Sequence, residues 1–318
     1  MASVRDVFFN KIYEMVQNGE DIVVVTSDLG APSLDDFRKY YPERYISVGI
    51  AEQNLIAVAS GLALSGRKVV AYGLNPFPVT RAFDQIRCLM AEMNISVTLC
   101  GLNAGLCSSE SGYTHMPVED FGMMRMLPNL RIINPSDESV ALKAAETVSN
   151  NSVPRYIRFD KSISGTFYQP SEINFSEGFS SYGDGREDSL CIVTNGCFTG
   201  QMRRIVDNYQ EKGVKLRLLD IYSLPVNKER LAGILKGHAS ILTIEENILA
   251  GGLGSFILEL LSDYSIRVPV KRLGLVKSSY HVFTNRSYIR ERQGLDEKNI
   301  FKTVDSLVLE DKVEKDEL

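Results

Sequence analysis

Cysteine is scattered, histidine is scarce and long apolar runs are missing. Each shortage removes a class of function. The five cysteines (Cys88, Cys100, Cys107, Cys191, Cys197) form no CxxC pair, and none stands near a histidine at metal-ligand spacing. An odd, dispersed set in apolar surroundings reads as reduced thiols of a cytoplasmic protein, which excludes a disulfide scaffold. The three histidines are His115, His238 and His281, and no His/Cys/Asp cluster surrounds them at ligand spacing. No metal held tightly by this chain alone is therefore expected. No apolar run reaches the roughly 18 residues of a membrane span. The opening MASVRDVFFNKIYEM carries charges where a signal core would be apolar, so no secretory leader is expected. With a net charge of −5 and no Lys/Arg-rich block, neither nucleic acid nor a membrane is an expected partner. The last four residues, Lys315 to Leu318, spell KDEL, a retention address of the endoplasmic reticulum. Without an entry signal it would go unread, and it is taken as the end of an acidic, solvated tail.

What the chain does have is enough length for two domains: 318 residues, 44% apolar and 24% charged, a soluble globular composition. Short β-rich apolar runs recur at 21–28 (DIVVVTSD), 44–49 (RYISVG), 68–73 (KVVAYG), 94–101 (NISVTLCG), 130–135 (LRIINP) and 155–159 (RYIRF). Between them, segments 2–17, 51–65, 78–93 and 136–149 carry apolar residues at three-to-four spacing. Such alternation predicts an α/β fold, a mostly parallel sheet flanked by helices. Residues 161–189 then dissolve into Ser, Gly and Asp, the composition of a connection. A second series follows at 190–196, 215–221, 240–246 and 267–274. The expected organisation is a domain over 1–165, a linker over 166–187 and a second domain over 188–318.

Ligands of such sheets bind at the carboxyl ends of the strands. There the chain places Asp28, Glu52, Asn75, Asn103, Asn134 and Asn195. GIAEQN (49–54) sets Glu52 at the mouth of an apolar helix. The dipole alone would favour an acid there by roughly 0.3–1 kcal/mol. Its apolar flanks suggest a restricted site in which a carboxyl could exchange a proton. GYTHMPVED (112–120) gathers Thr114, His115, Glu119 and Asp120 around a proline, a plausible proton or hydroxyl handler. NPFPVTRAFDQIR (75–87) offers Phe77 as a stacking face and Arg81 and Arg87 as anion contacts. Arg158 of PRYIRFD stands near a strand end, where it could make a bidentate contact to a phosphate or a carboxylate, or serve as a surface cation. The glycines of EENILAGGLGS (245–255) lack phosphate-loop spacing and read as a tight strand-to-helix turn.

In order and spacing, SDLGAPS (27–33), GIAEQN, TRAFDQIR (80–87), GYTHMPVED, LRIINPSD (130–137), RYIRF and EENILAGGLGS resemble the transketolase-like thiamine diphosphate enzymes. The resemblance covers nearly the whole chain and is to their pyrimidine-binding and C-terminal domains. It implies that Glu52 bonds the cofactor's aminopyrimidine and activates it. It implies that Phe77 stacks on that ring, with Asp28 and Ile50 nearby. By the same resemblance His115 is catalytic, meeting substrate hydroxyls and the reacting centre, Arg158 binds a sugar phosphate, and Ser33 and Arg81 line the substrate channel. Two positions depart from the family pattern. Ser111 stands where relatives commonly have an aspartate, and Asn103 where many have a histidine. Both departures point away from an ordinary pentose phosphate toward a modified sugar.

The family holds Mg²⁺ and the diphosphate with a GDG…N motif. The only GDG here, Gly183 to Gly185, falls in the expected linker with no strand expected before it and no suitable Asn about 25–30 residues after it. The resemblance therefore implies the smaller subunit of a split transketolase, transferring a two-carbon ketol unit to an aldehyde. The Mg²⁺ ligands would come from a partner subunit in a heterotetramer, with self-association of this chain. Two other readings stay open: a β-type subunit of a 2-oxoacid dehydrogenase or pyruvate-using synthase, and a non-catalytic regulatory subunit.

Overall fold

The computed structural model describes residues 2–150, 152–185, 189–276 and 283–316. Glu317 and Leu318 of the KDEL end, His281, and residues 186 and 187 of the expected linker lie outside the described residues. Two compact units emerge, Met1–Ser108 with Thr114–Ile173, and Ser109–Tyr113 with Asn174–Leu318.

In the first unit, β1 (Ile22–Thr26), β2 (Tyr45–Ser47), β3 (Lys68–Leu74), β4 (Val97–Leu102), β5 (Arg131–Ile133) and β6 (Arg155–Phe159) run parallel in the order β5-β6-β4-β3-β1-β2. Every residue of β1, β4 and β6 is buried. Strands covered on both faces read as unbroken apolar runs, which is why they were legible. The helices are α1 (Val4–Gln17), α2 (Asp35–Tyr40), α3 (Glu52–Leu64), α4 (Phe77–Thr80), α5 (Phe83–Gln85), α6 (Asp120–Arg125) and α7 (Glu138–Glu146). The helix expected over 78–93 is broken. It runs as α4, then α5, then a π-helical stretch over Ile86–Glu92.

Phe8 and Phe9 of α1 pack against Phe159 and Tyr72, fixing that helix to the sheet. Asp137 caps α7 by accepting from the Val140 N–H at 2.9 Å. Its other oxygen accepts from Phe167 N and Tyr168 N at 2.9 Å each, so the chain past β6 is tied down by a buried carboxylate. The chain leaves β1 toward β2 on one side and returns to β3 on the other. The carboxyl ends of β1, β2 and β3 thus surround a topological switch point.

The second unit contains β7 (Ser180–Tyr182), β8 (Leu190–Thr194), β9 (Arg217–Asp220), β10 (Ser223–Leu224), β11 (Ser240–Ile248) and β12 (Val270–Leu275). Its sheet has the order β12-β11-β8-β9-β7, with β7 antiparallel to β9 and the other pairs parallel. Its helices are α8 (Thr199–Glu211), α9 (Lys228–Leu235), α10 (Leu253–Asp263), α11 (Arg286–Gln293) and α12 (Glu297–Asp316). The expected linker is therefore not featureless. It holds a 3₁₀ turn over Pro170–Glu172 and the strand β7. The glycine-rich EENILAGGLGS is a strand-to-helix turn: Glu245 accepts from Leu253 N at 2.7 Å and Gly254 N at 2.9 Å, satisfying the start of α10. No described helix is long and apolar enough to cross a membrane.

Candidate functional site

Glu52 is the first residue of α3, reached through Gly49 in the left-handed region at φ 72°. Its side chain is only 3% exposed. A carboxylate withdrawn this far from water needs a partner. Arg81 supplies one, donating from Nη1 to Glu52 Oε2 at 2.6 Å. No described residue bonds Oε1.

Arg81 follows α4 and also lies over Phe77, with Cζ 4.9 Å from the ring centroid. Phe77 meets the His115 ring edge-on, 5.3 Å between centroids at 87°. His115 Nδ1 faces the Thr114 hydroxyl at 3.0 Å, which leaves Nε2 available. Glu52, Arg81, Phe77, His115 and Thr114 thus form one continuous string of contacts. It joins the end of β2, the end of β3 and the loop after β4.

A buried polar network underlies the string. Asn75, just before the Pro76–Phe77 turn, donates from Nδ2 to the Tyr156 hydroxyl at 2.8 Å. That hydroxyl donates to Asp120 Oδ2 at 2.6 Å. Arg158 grips the same carboxylate at both oxygens, Nε to Oδ2 at 2.7 Å and Nη2 to Oδ1 at 2.8 Å. Burial, then the adjacent Asp120 charge, pushes the Tyr156 hydroxyl well above its ordinary pKa, so it stays protonated and donates. Gly101 makes room: a Cβ there would come within 2.2 Å of Asn75 Oδ1.

The other expected site residues are placed differently. Asp28 is exposed at the end of β1 in the left-handed region, φ 57°. Ile50 is 75% exposed at the mouth of α3. Ser33 donates to Asp6 Oδ1 at 2.8 Å, a contact within the scaffold. Burial opposes ionisation of Asp6, but Ser3, Ser33 and Arg5 outweigh it and hold its pKa below the usual carboxylate range. Asn103 is buried at φ 68° and folds onto its own loop, donating to Ser108 Oγ at 2.6 Å. Ser111 is exposed and belongs to the second unit. Arg158 is 3% exposed and committed to Asp120.

Nothing local in the sequence pairs Arg81 with Glu52, which lie 29 positions apart, or Asn75 with Tyr156. Asn75 stood out only as a polar residue at a strand's carboxyl end, and Tyr156 only as a hydroxyl inside an apolar run. The linker GDG does follow a strand, β7, contrary to expectation, but its polar groups are used within the fold: Asp184 accepts from Gln210 Nε2 at 3.2 Å, and the Gly185 N–H bonds the Leu216 carbonyl at 3.0 Å.

Glu52 and Phe77 fit one half of a flat heteroaromatic cofactor. The buried carboxylate has a spare oxygen for a ring N–H, and an aromatic side chain lies one contact away.

Comparison with known proteins gives the family. The model for the transketolase pyrimidine-binding domain matches residues 1–165, and that for the transketolase C-terminal domain matches residues 184–300. A subunit of the apulose-4-phosphate transketolase of Phocaeicola vulgatus is 30% identical over 306 residues, covering 95% of this chain and 96% of that one. The 6-deoxy-6-sulfo-D-fructose transketolase subunit SqwH of Clostridium sp. strain MSTE9 is 27% identical, covering 94% of this chain and 92% of its own. Among solved structures, a split-gene transketolase in an inactive beta4 tetramer superposes with a TM-score of 0.83. It is 28% identical, over 97% of this chain and 99% of that chain.

Proposed function

The chain belongs to the transketolase family, and from that premise we propose that it is one subunit of a split, thiamine diphosphate-dependent transketolase. It acts on a modified or phosphorylated sugar. Two relatives matched along nearly their full length are named as subunits of transketolases for such sugars, which supports both halves of this reading.

The observation that carries it is the Glu52 carboxylate, 3% exposed, with Oε2 bonded and Oε1 engaged by no described residue. Thiamine diphosphate, when bound, supplies the carbon nucleophile that carries a two-carbon ketol unit from ketose to aldehyde. The chain's own residues do the rest. Glu52 Oε1 would accept a hydrogen bond from the ring N–H and hold its proton. Phe77 gives the ring an aromatic face. His115, turned by Thr114 at Nδ1, offers Nε2 to substrate hydroxyls as donor or acceptor. Asn75, Tyr156, Asp120 and Arg158 hold the Phe77 turn and the segment after His115 at fixed separation, so Arg158 acts from beneath the site.

The diphosphate and Mg²⁺ fall to a partner chain bearing the missing motif, in a heterotetramer with self-association of this subunit. The test is reconstitution with that partner, a screen of phosphorylated and sulfonated ketoses against aldehydes, and Glu52→Gln. Ketol transfer that needs both chains and thiamine diphosphate, and that the variant lacks, is the expected result. Full activity of Glu52→Gln would overturn the assignment of Glu52.

A further inference from the structure

The group that satisfies Glu52 in this structure is flat, edged with N–H donors and lies over an aromatic ring. It is the guanidinium of Arg81, with Nη1 2.6 Å from Glu52 Oε2 and Cζ 4.9 Å from the Phe77 centroid. A planar conjugated cation of this kind offers the same contacts that an aminopyrimidine would offer to the same two side chains. We propose that Arg81 is a placeholder for the cofactor's pyrimidine ring. It occupies Glu52 and Phe77 until the cofactor arrives, and then withdraws. The proposal rests on the transketolase reading given above.

Three observations favour an occupant that leaves over a permanent strut. Glu52 is 3% exposed, so before loading it needs a donor that the ring would supply afterwards. Arg81 is 48% exposed, so its head can turn to water with little loss. Its place over Phe77 takes one of the two faces on which a flat ring could stack. Among the described residues Oε1 stays open, but Arg81 covers a Phe77 face while it holds Glu52 Oε2, so it and a ring that meets both side chains there compete for the same place. A competing conformer lowers the apparent affinity by the fraction of molecules it ties up.

The sign of one substitution decides the matter. Thiamine diphosphate binding is measured by calorimetry on the complex reconstituted with the partner chain, for the wild type, Arg81→Gln and Arg81→Lys. If Arg81 is a placeholder, Arg81→Gln binds roughly three- to twentyfold more tightly, and Arg81→Lys, which keeps the charge without the plane, falls between. Equal or weaker binding by a folded Arg81→Gln overturns the proposal and makes Arg81 a positioning or ligand-contacting residue. Crystal structures of the wild-type complex with and without cofactor give a second readout that needs no variant. A contact between Nη1 and Oε2 retained with cofactor bound overturns the proposal as well. A wild-type complex that binds no thiamine diphosphate overturns the functional reading itself, which keeps the two failures apart.

Discussion

Arg158 and Asp120 meet in a direct, two-pronged contact. Nε reaches Oδ2 at 2.7 Å, Nη2 reaches Oδ1 at 2.8 Å, and the side chains are 3% and 0% exposed. This geometry uses the full fork of the guanidinium, and the Phe121 N–H adds a further bond to Oδ1 at 2.7 Å. The pair joins β6 to the start of α6, five residues after His115. Through Tyr156 and Asn75 it continues to the turn that carries Phe77. The sequence allowed Arg158 a two-pronged contact to a phosphate or a carboxylate, and in this structure the group it grips is the Asp120 carboxylate.

Asp120→Asn removes the carboxylate charge that both prongs of the buried Arg158 guanidinium meet. Breaking one side of such a pair costs roughly 3–5 kcal/mol. Chemical denaturation should show a loss of that order. Asp120→Asn combined with Arg158→Met should recover part of it, because the guanidinium charge is gone as well. A double variant no more stable than the single one would mean that the pair is not coupled as the distances suggest.

Gly101→Ala tests the same foundation from the opposite side. The new Cβ would stand within 2.2–2.5 Å of three side-chain atoms of Asn75, all inside the core. Asn75 must move, and its bond to the Tyr156 hydroxyl goes with it. Overpacking of this kind costs roughly 1–3 kcal/mol. The Phe77 turn shifts at the same time, so the expected outcome pairs lower stability with weaker cofactor binding by the complex. A stable Gly101→Ala protein with unchanged binding would separate Asn75 from the site.

How much of this was legible depends on which interactions are local. The alternation of apolar runs and helical segments gave two mostly parallel α/β sheets, because strands buried on both faces leave continuous apolar signatures. β7 left no such trace. It is three residues long, set among Ser and Gly, and made a strand only by pairing with β9. The break of the 78–93 segment into α4, α5 and a π-helical stretch also escaped, since apolar spacing does not distinguish a continuous helix from an interrupted one. In the site, Glu52 and His115 stood out because of their immediate neighbours. The contact between Glu52 and Arg81 spans 29 positions, and that between Asp120 and Arg158 spans 38. Only the crossing of the chain over the sheet brings such pairs together.

His238 makes the stability of the second unit depend on pH in a defined direction. Burial lowers its pKa from the ordinary 6.5, against a smaller opposing effect of its hydrogen bond to Ser189. Its Nδ1 lies 3.0 Å from the Ser189 carbonyl, so the neutral ring donates there. The unfolded chain takes up a proton near pH 6.5, whereas the folded chain takes it up only lower. The unfolded state therefore binds more protons in that window, and stability falls as pH drops from 6.5. The melting temperature should fall between pH 7.5 and about 5.5, and His238→Gln should flatten that slope. Asp6, held low by its three partners, contributes its own loss only further down, below its ordinary 3.8. An unaltered slope in His238→Gln would assign the effect to other groups.

His115 provides the test that separates substrate handling from cofactor binding. Its Nδ1 is engaged by Thr114 at 3.0 Å and its ring is held edge-on to Phe77, so its orientation is set from two sides. His115→Ala removes Nε2 entirely. In the reconstituted complex it should lower kcat/KM for the donor sugar by roughly 10²-fold or more, the scale of a positioned acid or base. Thr114→Val keeps the shape but removes the hydroxyl that fixes Nδ1. The loss of one partly exposed hydrogen bond corresponds to a fall of roughly two- to tenfold. Neither change touches Glu52 or Arg81, and on the cofactor side His115→Ala loses only its edge contact with Phe77, so the affinity for thiamine diphosphate should fall far less than kcat/KM in both. If His115→Ala instead weakened cofactor binding as strongly as turnover, His115 would belong to the cofactor's half of the site, and the substrate would have to be met by other residues.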